Sequence, residues 1–263
     1  MAFARGKDAE IYYEVHGRGT PIVLSAGMGG SGSFWAPQLD SLANRHQVIL
    51  YDHVGTGRSA AGHRSIAGMA DDIACVLDQA NVDAAHVVGH AIGGIVGIEL
   101  ALRHPKRLRS LTVVNGWGCA DPFLRRCFEI RKALLNHSGP QAYVRAQPLF
   151  LYPPQWISEN IARLDAEEER ILKHFPSVAT MNQRIDMFLA FEGGRRLAAI
   201  NVPTLLASAK DDALVPAYLT RELAAAIPDA RVHEVDLGAH AFSVVTPEVF
   251  NDTLLDFCKE VDR

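Results

Sequence analysis

The chain has 263 residues, 48% of them hydrophobic and 21% charged, which is enough apolar mass for a sizeable buried core. Its formal net charge is −4, with no basic run or stripe, which argues against a nucleic-acid partner and gives no reason to expect an anionic membrane surface. The N-terminal MAFARGKDAEIYYEVHG lacks the apolar stretch of a signal peptide, and no run approaches the roughly 18 apolar residues of a membrane span. Cys75, Cys119, Cys127 and Cys258 sit at irregular wide spacings, neither a disulfide framework nor a zinc pattern, so reduced thiols and a cytoplasmic location are expected.

In chain order, residues 11–15 alternate and read as a strand, and 21–26 (PIVLSA) form a continuous apolar run, as a strand buried on both faces does. A glycine loop covers 27–33, and a helix is predicted over 35–44 with Pro37 in its first turn. Residues 47–51 (QVILY) read as the next buried strand and 52–59 as a turn. Over 65–81, Ile66, Met69, Ile73, Val76 and Leu77 share one face of an amphipathic helix. A strand over 85–89, a helix over 92–103 that stops before Pro105, and a strand over 108–115 complete the first half.

This alternation predicts an α/β fold with a mostly parallel central sheet and helices on both faces. It breaks from about Gly118 to Gly194, where the sequence is helical or irregular and punctuated by Pro140, Pro148, Pro153, Pro154 and Pro176. Strand and helix patterns return at 203–209, 217–227, 230–235 and 247–261. The expected organisation is one core, 1–117 with 196–263, carrying an inserted helical lid over 118–195.

The strongest local signal is Gly89-His90-Ala91-Ile92-Gly93-Gly94, placed where a strand ends and a helix opens. A G-x-S-x-G nucleophile elbow needs that context, because the tight turn demands small neighbours and presents its central side chain to the site. Here the central residue is Ala91. Two later loops each follow a strand: Ser208-Ala209-Lys210-Asp211-Asp212, four residues before Pro216, and Leu237-Gly238-Ala239-His240. The order elbow, aspartate, histidine is that of an α/β-hydrolase, and the chain resembles that family from end to end. The resemblance implies Asp212 as the acid and His240 as the base, with Asp211 left as a cap for the helix after Pro216. It implies an oxyanion hole from the backbone N–H groups of Met28, in the loop Ala26-Gly27-Met28-Gly29-Gly30, and Ile92. Asp52-His53-Val54-Gly55-Thr56-Gly57-Arg58-Ser59 is similar to a structural turn of the family, with Val54 in place of its usual arginine.

Within the family the chain resembles the RutD-type hydrolases of the Rut pyrimidine-degradation pathway, described as aminoacrylate or carbamate hydrolases. Ser31-Gly32-Ser33-Phe34-Trp35, Val114-Asn115-Gly116-Trp117, Arg125-Arg126-Cys127-Phe128 and 146–153 (AQPLFLYP) carry that likeness; Val54 and much of 158–196 depart from it. The resemblance implies that a G-H-A elbow is native. Removing the serine of a true serine hydrolase costs about 10⁶ in rate. A native alanine therefore implies water as nucleophile, activated by His240 with Asp212 orienting the imidazole, and a substrate that breaks down readily. Three other readings stay open on the sequence: a serine-dependent ester or amide hydrolase carrying an engineered Ser→Ala, a cofactor-free dioxygenase on the same fold, and a non-catalytic binder. Asn115, Trp117 and Trp35 are candidate pocket residues. His90 reads as packing or as a hydrogen-bonding support. No metal-ligand spacing and no G-x-G-x-x-G after a strand is present, so neither a metal nor a nucleotide cofactor is expected. The expected partner is a small-molecule substrate, with monomer and homodimer both open.

Overall fold

The computed structural model describes residues 2–6 and 9–263. The buried apolar runs form the middle of one eight-stranded sheet: β1 (Ala2–Arg5), β2 (Glu10–His16), β3 (Thr20–Ser25), β4 (His46–Tyr51), β5 (Ala85–His90), β6 (Leu108–Val114), β7 (Thr204–Ala209) and β8 (Arg231–Val235), in the order β1-β2-β4-β3-β5-β6-β7-β8. β3 to β8 run parallel, and β1 and β2 add an antiparallel edge. β1 has no counterpart in the sequence reading. Every residue of β5 and β7 is buried, as central strands covered on both faces require.

Side chains alternate between two cores. Val23, Val87 and Val113 face one side of the sheet; Leu24, Val88 and Val114 face the other. On the first side lie α2 (Ile66–Gln79), capped by Ser65, and α3 (Ile92–Arg103), buried almost all round. On the second side lie α1 (Ala36–Ala43) and, at the C-terminus, α11 (Pro247–Val261), meeting through Leu42, Phe250 and Leu254. The helix expected from residue 35 begins at Ala36 behind a 3-10 turn, Gly32–Trp35.

Between β6 and β7 the chain runs through α4 (Pro122–Ala146), α5 (Pro148–Leu151), α6 (Pro154–Glu159), α7 (Ile161–Lys173) and α8 (Val178–Leu189). The prolines explain the segmentation: α4, α5 and α6 each open on one, and α4 breaks at Gly139, φ 81°, directly before Pro140. After β7 come α9 (Ala217–Ala226) and the short α10 (Phe242–Val245). Among the described residues no helix is long and apolar enough to cross a membrane.

The topology itself marks a site. β3 connects to β4 on one flank, whereas β5 adds on the other, so the strand order reverses between β3 and β5. In open parallel sheets the crevice beyond the carboxyl ends of two such strands is where ligands bind. β3 delivers residues 26–30 to that crevice, and β5 delivers Ala91.

Candidate active site

Ala91 stands between β5 and α3 at φ 50°, ψ −110°, a conformation that costs a non-glycine residue energy and persists only where the surroundings impose it. The surroundings are backbone. Its N–H donates to the Val114 carbonyl (2.8 Å) and its carbonyl accepts from Ile95 (3.1 Å). A Cβ at Gly89 would lie 2.1 Å from the Gly93 carbonyl oxygen, and one at Gly93 would lie 2.2 Å from that of Ser25. The glycines thus let helix, strand and the loop after β3 touch, and the turn directs the Ala91 methyl into a cavity of about 500 Å³. That size is ordinary for a small-molecule site.

His240 lines the same cavity. Its Nδ1 lies 2.8 Å from Asp212 Oδ2, both residues being buried. The other oxygen, Oδ1, accepts from the N–H groups of Leu214 and Val215, each at 2.8 Å. A carboxylate held this way accepts the hydrogen bond of Nδ1–H and so favours the tautomer with Nε2 as the free, basic ring atom.

The histidine loop is pinned from three sides. Gly238, at φ 131°, and Ala239 donate to the Asp211 carboxylate at 3.1 and 2.8 Å. The His240 carbonyl accepts from His90 Nε2 (2.8 Å) and Asn115 Nδ2 (2.6 Å). Asp211 therefore does not cap the helix after Pro216, as expected above: it braces the histidine loop, and the local turn bonds fall to Asp212. Asn115, placed in the pocket by the sequence reading, is fully buried beneath that loop, at φ 51°, and is absent from the cavity wall. Trp35 also lies off the cavity, in the core against Phe34 and Phe250. Trp117 does line it, as do Met28 and Ile92. Ile92 opens α3, so its N–H has no intrahelical acceptor.

Three further residues meet at the site: His90, read in the sequence as packing or a hydrogen-bonding support, and His53 and Arg184, which carry no sequence signal. His90 stacks on Phe34 (4.7 Å between centroids) and lines the cavity, its pKa pushed down to about 3 by burial and by the neighbouring His240. With Nε2–H given to a carbonyl, its Nδ1 is a buried acceptor without a protein partner. His53 is held well below its usual range by burial and by Arg184. Arg184, from α8, donates from Nη2 to His53 Nδ1 (2.7 Å) and from Nε to the Met28 carbonyl (3.1 Å). Its burial brings its pKa down to about 10. The helical insert is thus hydrogen-bonded to the backbone of the loop that faces Ala91. Residues 156 positions apart meet there, which no local pattern announces. Among the described residues no cluster of His, Cys, Asp or Glu has the geometry to hold a metal ion.

A family model described as alpha/beta hydrolase fold matches residues 20–247. The chain belongs to that family and is a hydrolase of that fold. It is similar throughout to proteins named "Putative carbamate hydrolase RutD": 66% identical to the one of Azorhizobium caulinodans over the full length of both, and 49% identical to the one of Caulobacter sp. (strain K31) over 94% of this chain and 95% of that one. Among solved structures, the enol-lactonase of Burkholderia xenovorans LB400 superposes with a TM-score of 0.89, covering 98% of this chain and 100% of its own. At 24% identity that likeness speaks for the fold.

Proposed function

We propose that the chain hydrolyses a small, labile C–N substrate of the carbamate or aminoacrylate type, in pyrimidine catabolism, without a covalent enzyme intermediate. The observation that carries the reading is an intact His240–Asp212 pair at 2.8 Å on the wall of a cavity whose elbow residue, Ala91, has no oxygen to serve as nucleophile. The RutD-named relatives support the substrate class.

For a carbamate, His240 Nε2 takes a proton from water as the oxygen adds to the carbonyl carbon. The charge that develops on the carbonyl oxygen is met by the N–H groups of Met28 and Ile92. The proton on His240 passes to the nitrogen, which leaves as the amine when the C–N bond breaks. Asp212 keeps the imidazole in one tautomer and stabilises its cation. Helices α4 to α8 act as a lid over this site. Ammonia release in excess of spontaneous breakdown, with carbamate and with freshly generated 3-aminoacrylate, tests the activity. A purified protein that accelerates neither overturns it.

A further inference from the structure

The cavity wall holds three arginines, and two are already neutralised. Arg58 pairs with Glu14 (2.7 Å) and Asp52 (3.2 Å), and Arg170 with Glu167 (3.4 Å). Arg131, from α4, is different. It is 2% exposed and forms no ion pair among the described residues. Among the described residues its one hydrogen bond runs from Nη2 to the Tyr143 hydroxyl (3.2 Å), and its Nε is buried without an acceptor. Aromatic rings surround the guanidinium: its central carbon lies 4.5 Å from the centroid of Phe128, 5.3 Å from Tyr143 and 5.4 Å from Phe150. Cys127, its neighbour on α4, supplies no anion, because burial pushes the thiol pKa up.

Aromatic faces attract a cation but accept no in-plane N–H bonds. A buried charge with unmet donors is costly, and a packed hydrophobic side chain serves stability better. The planar fork of arginine is suited to bidentate capture of a carboxylate. We propose that Arg131 is a specificity-determining anchor, binding the carboxylate of a small monoanionic substrate whose reacting carbon lies at Ala91 and His240. This rests on the hydrolase reading for what reacts at the far end. It also refines it, because an anchor on α4 separate from the histidine suits a substrate such as 3-aminoacrylate, in which carboxylate and reacting carbon are distinct groups. The rings of Phe128, Tyr143 and Phe150 then pack around the guanidinium at the cavity wall.

Calorimetric titration with propionate, a three-carbon monoanion, and with its neutral isostere propionamide tests the anchor without any turnover. The unaltered protein should bind propionate at least about tenfold more tightly, and Arg131→Gln should abolish the difference while circular dichroism stays unchanged. Arg131→Lys keeps the charge but loses the fork, and should retain part of the preference. With a turned-over carboxylate substrate, Arg131→Lys should raise KM about tenfold or more with kcat within about threefold, as loss of uniform binding does. Equal binding of propionate and propionamide by the unaltered protein overturns the proposal, as does a folded Arg131→Gln variant that keeps the preference. The two readings fail separately. A charge preference that depends on Arg131 in a protein inert towards carbamate and aminoacrylate leaves the anchor standing and removes the reaction. Hydrolysis with no charge preference does the reverse.

Discussion

Relative to a serine hydroxymethyl, the methyl of Ala91 lacks one oxygen at the elbow, while the hydrogen-bonded His240–Asp212 pair is present at the same site. If water occupies that role, Ala91→Ser should change the rate on the carbamate or aminoacrylate substrate little, or slow it, while conferring weak activity on activated esters. Steady-state rates of both proteins on both substrate classes decide it, and a gain of about 10⁵-fold on any of them would sink the water mechanism. His240→Ala should lower kcat by about 10²- to 10⁴-fold, the usual worth of a positioned general base. Asp212→Asn should also cut the rate strongly by releasing the Nδ1 tautomer; a His240→Ala rate within about threefold of the parent removes the histidine from the reaction. The elbow and the two loops were legible because each follows a strand in the order the fold dictates. The role of Asp211 was not, since the N–H groups that donate to it, those of Gly238 and Ala239, lie 27 and 28 residues on. Nor were those of Asn115 and Trp35. Position at a strand end or beside a loop does not say whether a side chain turns toward the cavity or beneath it.

At the scale of elements, β3, β5 and α3 converge on Gly93, where the backbone of one turn rests on another. Gly93→Ala would set a methyl 2.2 Å from the Ser25 carbonyl oxygen and 2.6 Å from that of Ala26. Backbone does not swing aside as a flexible side chain does, so the loop after β3 must move away from the Ala91 turn. Overpacking of this kind costs about 1–3 kcal/mol or more. The variant should therefore melt several degrees lower, and the melting temperature by calorimetry checks it; an unchanged temperature would mean that the contact is not built as described. Strand and helix periodicities of the first half were readable because each buried run repeats a single environment. β1 escaped because four residues at a sheet edge carry too little pattern, with one of them buried. The helices from Pro122 to Leu189 could be recognised as helices, but their packing could not be derived. Nothing in the local sequence sets Arg131 and Arg184 apart from the other arginines of these helices; both are buried because other elements close over them.

For the molecule as a whole, the cost of burying imidazoles sets a limit on the acid side. His53, His86 and His90 come from β4's following turn and from β5, and all three are nearly inaccessible to solvent. Burial is the largest cause in each case, holding His53 well below 6.5, His86 at about 4 and His90 at about 3. Even Asp262, 3.1 Å from His86 Nε2, does not reverse that. Above pH 6.5 these groups are neutral folded and unfolded, and contribute no pH dependence. Below it the unfolded chain takes up protons that the folded protein refuses, so stability falls with falling pH. At pH 5.0 the loss is on the order of 2 kcal/mol per histidine that remains neutral in the native state. Three of them amount to a large part of the roughly 5–15 kcal/mol that holds a domain together. Glu14, drawn down to about 2 chiefly by its hydrogen bond from Tyr12, adds a further loss only as the pH drops below its ordinary value of 4.5. The steep part of the curve should accordingly lie between about pH 6.5 and 4.5 and belong to the histidines. Urea midpoints at pH 7.5, 6.0 and 5.0 measure it. His86→Gln, which cannot titrate and keeps an amide to meet Ser110 and Asp262, should flatten the slope by about one third. A midpoint that stays constant from pH 7.5 to 5.0 would show that these imidazoles take their protons within the fold.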